Sequence, residues 1–374
     1  MQRLRNTIVD SDLPGEIDQC ILIDRSIDFP SSLITPLTYE GLIDDTFEIK
    51  SSQVTVKNSI IGKPETAEND STTMILNNND NLFVDLRDNN IIVLPKVLKQ
   101  LTMEIQAKIN NKPTNTADIS AIQDFIKQLP KYIQSQDKLP VYYAIMENLL
   151  TLINSYSFKQ NWQMERSCLE QENIYDYIMD RIALQDPLTT VLRLLCLYSL
   201  VNDGIKQKLY EPIKREIIQT YGFEQMCTLY TLENMGFLKV KEGSSTWATL
   251  AGKLKCIRND IDGSTMTDMN YVTSGYAPLS CRLISAAIFN PNMIKQDLQK
   301  YLTNPYIEIK QEIKSKKNAE RKVVLLVFVG GITYTEIAAL RQIKKIPNNK
   351  VDLLIMTTNI LNGKRVIQSC LEKI

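Results

Sequence analysis

The chain has 374 residues, with 43 basic and 43 acidic side chains and a formal net charge of zero. This balance argues against a protein that mainly binds nucleic acid, because phosphate binding depends on an excess of Lys and Arg. There is no histidine, which excludes Ser-His-Asp triads, Cys-His dyads and imidazole metal ligands. At this length we expect two or more packed units.

The seven cysteines lie singly along the chain, and no two form a CxxC pair. We therefore expect reduced thiols and no structural zinc site or other cofactor. The first 18 residues lack the apolar core of a signal peptide. The longest apolar run, 323–329, is much shorter than a membrane span. These features predict a cytoplasmic protein that meets membranes only peripherally.

In chain order, the first segment reads as strand, loop and helix. Residues 20–23 are apolar and end at Asp24, which predicts a fully buried parallel strand. Residues 37–47 have helical spacing, and the polar run 63–81 predicts an exposed loop.

The middle of the chain, residues 91–260, has the apolar spacing of helices. Between 97 and 109, apolar side chains recur every three or four residues and form one stripe, which is typical of a surface helix. Residues 191–200 are apolar almost all round, which predicts a central buried helix.

The end of the chain returns to an α/β pattern. Strands are predicted at 323–329 and 351–356, helices at 335–343 and 364–371, and a tight turn at Gly330 and Gly331. Strands at both ends, with helices between them, predict one parallel α/β sheet domain interrupted by a large all-α insertion. We expect residues 1–95 and 263–374 to form the α/β domain, with the helical insertion between them.

Two motifs raise the alternative of a nucleotide-dependent α/β enzyme. Asp24 follows a strand as a phosphotransferase aspartate does, but the second Asp of that pattern is replaced by Ser26. Gly330 and Gly331 join a strand to a helix, but the chain has neither GxGxxG nor GxxxxGK[ST]. We therefore favour a structural role for both motifs. Asp24 and Arg25 would bind the backbone near the end of the strand, and the two glycines would form a tight turn.

A second alternative is a winged-helix nucleic-acid module at 223–240, where a helix ends at glycine and enters a short strand. Such a module needs Lys or Arg on its recognition helix. None occurs between Phe223 and Gly236, while Glu224 and Glu233 are acidic. The pattern favours protein interaction or packing and no binding to nucleic acid.

Several segments resemble a known family in collinear order. Residues 23–28 (IDRSID) and 37–44 (LTYEGLID) come first; residues 191–197, 214–222, 271–280, 329–340 and 357–363 follow. Together they resemble the SM (Sec/Munc) family, in its vacuolar and lysosomal branch. The resemblance implies the second and third domains of that family, with the second domain split around the helical insertion.

The resemblance also implies a function without catalysis. Family members of this branch belong to HOPS or CORVET tethering complexes on late endosomes, lysosomes or vacuoles. Segment 96–170 would carry a hairpin that binds SNARE helices. Segment 171–262 would dock a class C subunit of the sorting-protein-sixteen type, and by position Lys214, Phe223 and Met226 resemble the docking residues. A buried helix face would give the same pattern at these positions.

The resemblance assigns structural roles to two further positions. Gly275 lies in the turn at 275–278, and Arg282, which follows it, would tie the helical insert to the sheet.

The chain also departs from the family, whose members are longer and begin with another α/β domain that has no counterpart here. This departure leaves open an incomplete gene model, a fragment, or a truncated paralogue that acts only as a scaffold.

Overall fold

The computed structural model describes residues 17–64, 70–110, 119–243, 245–261, 263–302, 305–309, 321–346 and 350–371, without the side chains of 119–129. Within these ranges, a three-stranded parallel sheet is joined to two groups of helices.

The first segment supplies one strand of that sheet and a frame beside it. In order, it contains β1 (Gln19–Asp24), α1 (Pro30–Leu33), α2 (Tyr39–Phe47), β2 (Gln53–Lys57), β3 (Ser71–Ile75) and α3 (Asn81–Leu86). Strands β2 and β3 pair antiparallel. The prediction of a loop over 63–81 was wrong, because this polar run contains β3. The β-branched threonines of β3 suit pairing with β2.

The middle of the chain is helical, as predicted. Its helices are α4 (Leu94–Asn110), α5 (Ile119–Asn154), α6 (Tyr156–Leu169), α7 (Tyr175–Ala183), α8 (Leu188–Asn202), α9 (Gln207–Tyr221), α10 (Gln225–Asn234) and α11 (Trp247–Lys253). Helix α8 is the predicted central helix, and Leu192, Leu195 and Cys196 are fully buried in it. Helices α4 and α5 pack on each other, although the tip between them lies outside the described residues.

The last segment completes the sheet. It contains α12 (Leu279–Phe289), β4 (Lys322–Val329), β5 (Ile332–Thr333), α13 (Tyr334–Ile343), β6 (Val351–Thr357), β7 (Ile360–Leu361) and α14 (Gly363–Gln368). Strand β4 lies between β1 and β6 and pairs parallel with both. The two ends of the chain therefore meet in one sheet, which confirms the predicted fold class. The four segment boundaries stay a prediction.

Three buried clusters hold these parts together. One joins the frame around β2 and β3 to α4 and α5, a second surrounds α8, and a third joins one face of the sheet to α12 and α13. In the third cluster Ile23, Leu326 and Phe328 point inward from β1 and β4. The helical inserts thus pack against the α/β part through these clusters.

The opposite face of the sheet, which we call the outer sheet face, carries apolar side chains that are half-buried on the central strand and more exposed towards the edges. Its residues alternate with the buried ones along each strand: Cys20, Leu22, Leu325, Val327, Val329, Leu354 and Met356. Leu22 is 70% exposed, so the prediction that residues 20–23 are fully buried was wrong. Strand β1 does pair parallel, but its side chains are buried only on the face that packs on α12 and α13.

Candidate functional site

The three docking candidates lie where α9 turns into α10. Helix α9 ends at Tyr221, and Gly222 turns the chain with a φ of 110°, a conformation that glycine adopts without steric cost. Leu229 and Leu232 fix α10 in the buried cluster around α8. The other side of α10 therefore faces outward.

That outward side carries large apolar side chains. Phe223 is 72% exposed and Met226 is 47% exposed. Tyr230, one helical turn after Met226, is 64% exposed. Phe223 and Met226 are thus surface residues in this chain and do not form a buried helix face. We call Phe223, Met226, Tyr230 and the adjoining Glu233 the α10 surface.

Lys214 joins the α10 surface through Glu233. Residues 226, 230 and 233 share one side of a helix because they are four and three positions apart. The Lys214 Nζ lies 2.9 Å from the Glu233 Oε1, and the Tyr210 hydroxyl donates to the same oxygen at 2.7 Å. The charge of Lys214 is therefore balanced within the chain.

The pKa of Glu233 is set by the same hydrogen bonds. Burial raises the pKa of the Glu233 carboxyl, but hydrogen bonds from Lys214 and Tyr210 outweigh that effect and hold the pKa below its ordinary value. Burial also raises the pKa of Tyr210, and its bond to Glu233 adds to the rise. At neutral pH the surface therefore presents an apolar strip with a neutralised ion pair at one end.

Sequence reasoning missed Tyr230 and Glu233. Their i+4 and i+7 spacing from Met226 was a signal that could have found them, because that spacing places all three residues on one side of the helix.

Arg25 lies in a buried ion cluster. Its Nη1 donates to both carboxylate oxygens of Glu336, at 2.9 and 2.8 Å, and its Nη2 donates to the backbone carbonyl of Asp28. The Ser280 hydroxyl also donates to Glu336. The main partner of Arg25 is thus a side chain on α13, in addition to the neighbouring backbone that the sequence suggested.

Asp28 completes this cluster. It accepts hydrogen bonds from the backbone N–H of Ser31 at 3.1 Å and of Ser280 at 2.8 Å. Burial raises the pKa of Asp28; Arg25 opposes the rise and the nearby Glu336 reinforces it. We call Arg25, Asp28, Ser280 and Glu336 the buried junction, because it joins the end of β1 to α12 and α13.

The other positions given structural roles lie around this junction. Asp24 accepts a hydrogen bond from the Ser26 N–H at 2.8 Å. Gly330 has a φ of 93°, and a Cβ there would lie 2.7 Å from the Cβ of Arg25. Gly331, beside it, has a φ of 107°. The glycine pair therefore makes a turn in which Gly330 lies close to Arg25 and Gly331 lies close to Leu361.

Gly275 and Arg282 contact the helical inserts. A Cβ at Gly275 would overlap the guanidinium of Arg166, whose Nη1 donates to the Ser274 carbonyl at 2.6 Å. On α12, Arg282 donates to the Lys255 carbonyl at 3.2 Å and to Asp268 at 2.6 Å. These contacts link the α/β part to α6 and to the end of the second helical insert.

Over the residues that the structure describes, no three Cys, Asp or Glu side chains gather as a metal site would require. All seven cysteines are free thiols, and five of them are buried. Among the described helices, none is long and apolar enough to cross a membrane.

Comparison with known proteins places the chain in a family. The Sec1 family matches residues 2–369. A vacuolar protein-sorting-associated protein 33 homolog from Arabidopsis thaliana is 36% identical over 376 residues, covering 96% of this chain and 62% of that protein. Vacuolar protein sorting-associated protein 33A from Rattus norvegicus is 32% identical, covering 95% of this chain and 62% of that protein. The chain thus spans less than two thirds of the length of these relatives.

Solved structures agree on the fold. The Unc18–syntaxin 1 complex from Monosiga brevicollis matches with a TM-score of 0.64 at 15% identity, covering 100% of this chain and 64% of that chain. The SM protein Vps45 in complex with the Qa SNARE Tlg2 matches with a TM-score of 0.66 at 13% identity, covering 99% of this chain and 63% of that chain. The resemblance found in the sequence is confirmed: the chain belongs to the Sec1 family of SM proteins.

Proposed function

We propose that this chain is a SNARE-binding regulator of vesicle tethering and fusion in the endosome-to-vacuole pathway and catalyses no reaction. The observation that carries the proposal is the family match over residues 2–369 together with relatives named for vacuolar protein sorting. The buried ion cluster at the end of β1 supports the non-enzymatic part, since Arg25 is occupied by Glu336 and Asp28.

The first helical insert is the part that we assign to SNARE helices. Helices α4 and α5 pack side by side and leave Met103, Ile133 and Tyr143 exposed. Exposed apolar side chains on paired helices suit recognition of a partner helix by its apolar face. A structural relative, Vps45, is described in complex with a Qa SNARE.

The α10 surface is the part that we assign to a tethering subunit. An apolar strip that contains two aromatic residues and has a charged pair at its edge resembles the core and rim of a protein interface. We propose that it docks a class C subunit of the sorting-protein-sixteen type, which would make the chain a HOPS or CORVET component. That assembly would hold it in the cytoplasm, peripherally on late endosome, lysosome or vacuole membranes.

The test is co-expression of the chain with the C-terminal half of the class C subunit from the same organism, followed by size-exclusion chromatography. We expect the wild type to co-elute with that subunit and Phe223→Asp to elute alone, because a carboxylate in an apolar interface core lacks a partner. Tyr156→Asp is the matched control, since it alters an equally exposed aromatic residue on α6 and should co-elute normally.

Two results would count against the docking assignment. One is a folded wild type that forms no complex, and the other is loss of the complex in Tyr156→Asp as well. Pull-down of SNARE helices by the same samples tests the SNARE assignment separately. If SNARE binding persists while the class C complex is absent, only the tethering part of the proposal fails.

A further inference from the structure

Residues 305–309 form a straight segment after the helical turns at 291–301. No helix, turn or bend interrupts these five residues, so their side chains alternate between two sides of the backbone. On one side Tyr306 packs against the buried cluster around α8, and Glu308 pairs with Lys295. Every second residue therefore holds the segment in place.

The other side of the segment faces solvent. Ile307 is 74% exposed and Ile309 is 80% exposed, and β-branched side chains of this kind are typical of strands. Neither isoleucine makes a hydrogen bond to another residue that the structure describes. Backbone N–H and C=O groups are strong hydrogen-bonding groups. The segment therefore has the side chains and the free backbone of a strand that lacks a neighbour.

The sheet offers an open edge at β6. The strand order β1-β4-β6 leaves one side of β6 without a neighbour among the described strands. At the two ends of β6, the Lys350 carbonyl and the Thr358 N–H bond to β4. Successive residues of a strand direct these groups to opposite sides, so the odd-numbered residues of β6 face outward. The N–H and C=O groups of Leu353 and Ile355 are thus free along this edge, within the part of the chain that the structure describes.

Two apolar side chains lie beside the β6 edge. Leu354 and Met356, on the outer sheet face, are both exposed and are two positions apart, as the two isoleucines are. Strand β1 forms the other edge of the sheet, but there the small Cys20 stands beside Leu22. Open edges can accept an added strand, and β6 matches the segment better than β1 does.

We propose that segment 305–309 of one copy of this chain adds as a strand to the β6 edge of a second copy. The isoleucines would lie beside Leu354 and Met356, where cross-strand apolar contacts stabilise the pair. The segment does not pair with β6 of its own chain in the structure, because Tyr306 and Glu308 hold it elsewhere. These two contacts also fix its backbone, which lowers the entropy cost of binding. Because donor and acceptor surfaces differ, the contact can continue from copy to copy.

The experiment is sedimentation velocity of the full chain over a range of concentrations. A five-residue strand buries far less than the roughly 1,600 Å² of a standard interface, so we expect weak association with a Kd on the order of 100 µM. The sedimentation coefficient of the wild type should rise with concentration. It should stay constant for a segment variant (Ile307→Lys with Ile309→Lys) and an edge variant (Leu354→Lys with Met356→Lys), because lysines beside an edge block strand addition.

A mixture of the segment variant and the edge variant tests whether these two surfaces bind each other. The segment variant keeps an intact β6 edge, and the edge variant keeps an intact segment. Together they can form one contact and no second one, so we expect a 1:1 dimer and no larger species. A mixture that stays monomeric at concentrations where the wild type associates would overturn the proposal.

Leu22→Lys and Ile92→Lys are the matched controls. Leu22 lies on the outer sheet face but on β1, and Ile92 is an exposed isoleucine outside both surfaces. Both variants should associate as the wild type does. If Leu22→Lys loses association as completely as the edge variant, the outer sheet face associates as a whole and the proposed strand addition is wrong.

Amide hydrogen exchange followed by NMR detects the backbone bonds themselves. The outward N–H groups of Leu353 and Ile355 should gain protection as the concentration rises. The N–H of Leu354 faces β4 and should be protected at every concentration. Two results would contradict strand addition between copies: no gain for Leu353 and Ile355, or protection that is already complete in the monomer.

Discussion

The buried junction and the α10 surface both depart from the usual distribution of side chains in a globular protein, which has apolar residues inside and charged residues outside. At the junction, Arg25, Asp28 and Glu336 are charged and almost completely buried. On the α10 surface, Phe223, Met226 and Tyr230 are large, apolar and exposed. Ordinary proteins avoid both situations unless a partner compensates for them.

The difference lies in where the compensating partner is found. At the junction it is within the chain, because Glu336, 311 residues from Arg25, accepts hydrogen bonds from the Arg25 Nη1 at both carboxylate oxygens. On the α10 surface no described residue covers the apolar side chains. The first arrangement joins the two ends of the chain in one sheet, and the second is the surface for which we propose a partner protein.

The largest expected effect is on the junction. Arg25→Met would leave the carboxylates of Glu336 and Asp28 buried without their cation, which should lower the free energy of unfolding by roughly 3–5 kcal/mol. Urea unfolding followed by circular dichroism measures this.

Lys239→Met is the control for this variant, because Lys239 pairs with Asp203 on the surface, where ion pairs contribute at most about 1 kcal/mol. If both variants lose the same stability, the junction does not hold the fold as we describe.

The next effect concerns binding at the α10 surface. Tyr230→Ala should raise the Kd for the class C subunit by a factor of about 10 to 30, since aromatic residues at interface centres commonly contribute 1.4–2 kcal/mol or more. Its stability should change by no more than about 0.5 kcal/mol, because the side chain is exposed.

Isothermal titration calorimetry of wild type, Tyr230→Ala and Tyr156→Ala provides the comparison. An unchanged affinity for Tyr230→Ala would confine the docking site to Phe223 and Met226.

Local patterns in the sequence predicted much of the fold. Apolar runs located β1, β4 and β6, and helical spacing located the middle of the chain, because both signals depend on neighbouring residues. The strand at 71–75 was missed since its residues are polar, and the pairing with β2 that stabilises it is not visible locally.

The sites were harder to predict because they depend on distant contacts. The resemblance to the family pointed to Lys214, Phe223 and Met226 as docking residues, but it did not point to Tyr230. Nothing near Arg25 in the sequence indicated Glu336, and nothing near Thr35 indicated Glu165, 130 residues away.

A smaller effect is expected from pH at Glu165. Burial raises the pKa of this carboxyl in the folded chain above its unfolded value, against the opposing effect of Arg193. The folded state then retains the proton longer, so the stabilisation is present below the unfolded pKa and is lost as pH rises through the folded pKa. Glu165→Gln cannot ionise.

The variant should therefore gain stability relative to wild type as pH rises from the unfolded pKa of Glu165 through its higher folded pKa. Urea unfolding of both proteins across this range measures the difference. A constant difference between them would mean that Glu165 ionises in the folded chain as it does in the unfolded chain.

The smallest effect on stability is expected at the outer sheet face, which extends the comparison to a third region. Leu22→Thr combined with Leu354→Thr replaces exposed apolar side chains with residues that keep a strand preference, so the free energy of unfolding should stay within about 0.5 kcal/mol of wild type. Binding of the dye ANS and self-association should fall, because the apolar area open to them is smaller. Equilibrium unfolding, ANS fluorescence and light scattering measure these quantities. A stability loss as large as that of Leu326→Thr, on the buried side of the same sheet, would show that the outer face is covered within the chain after all.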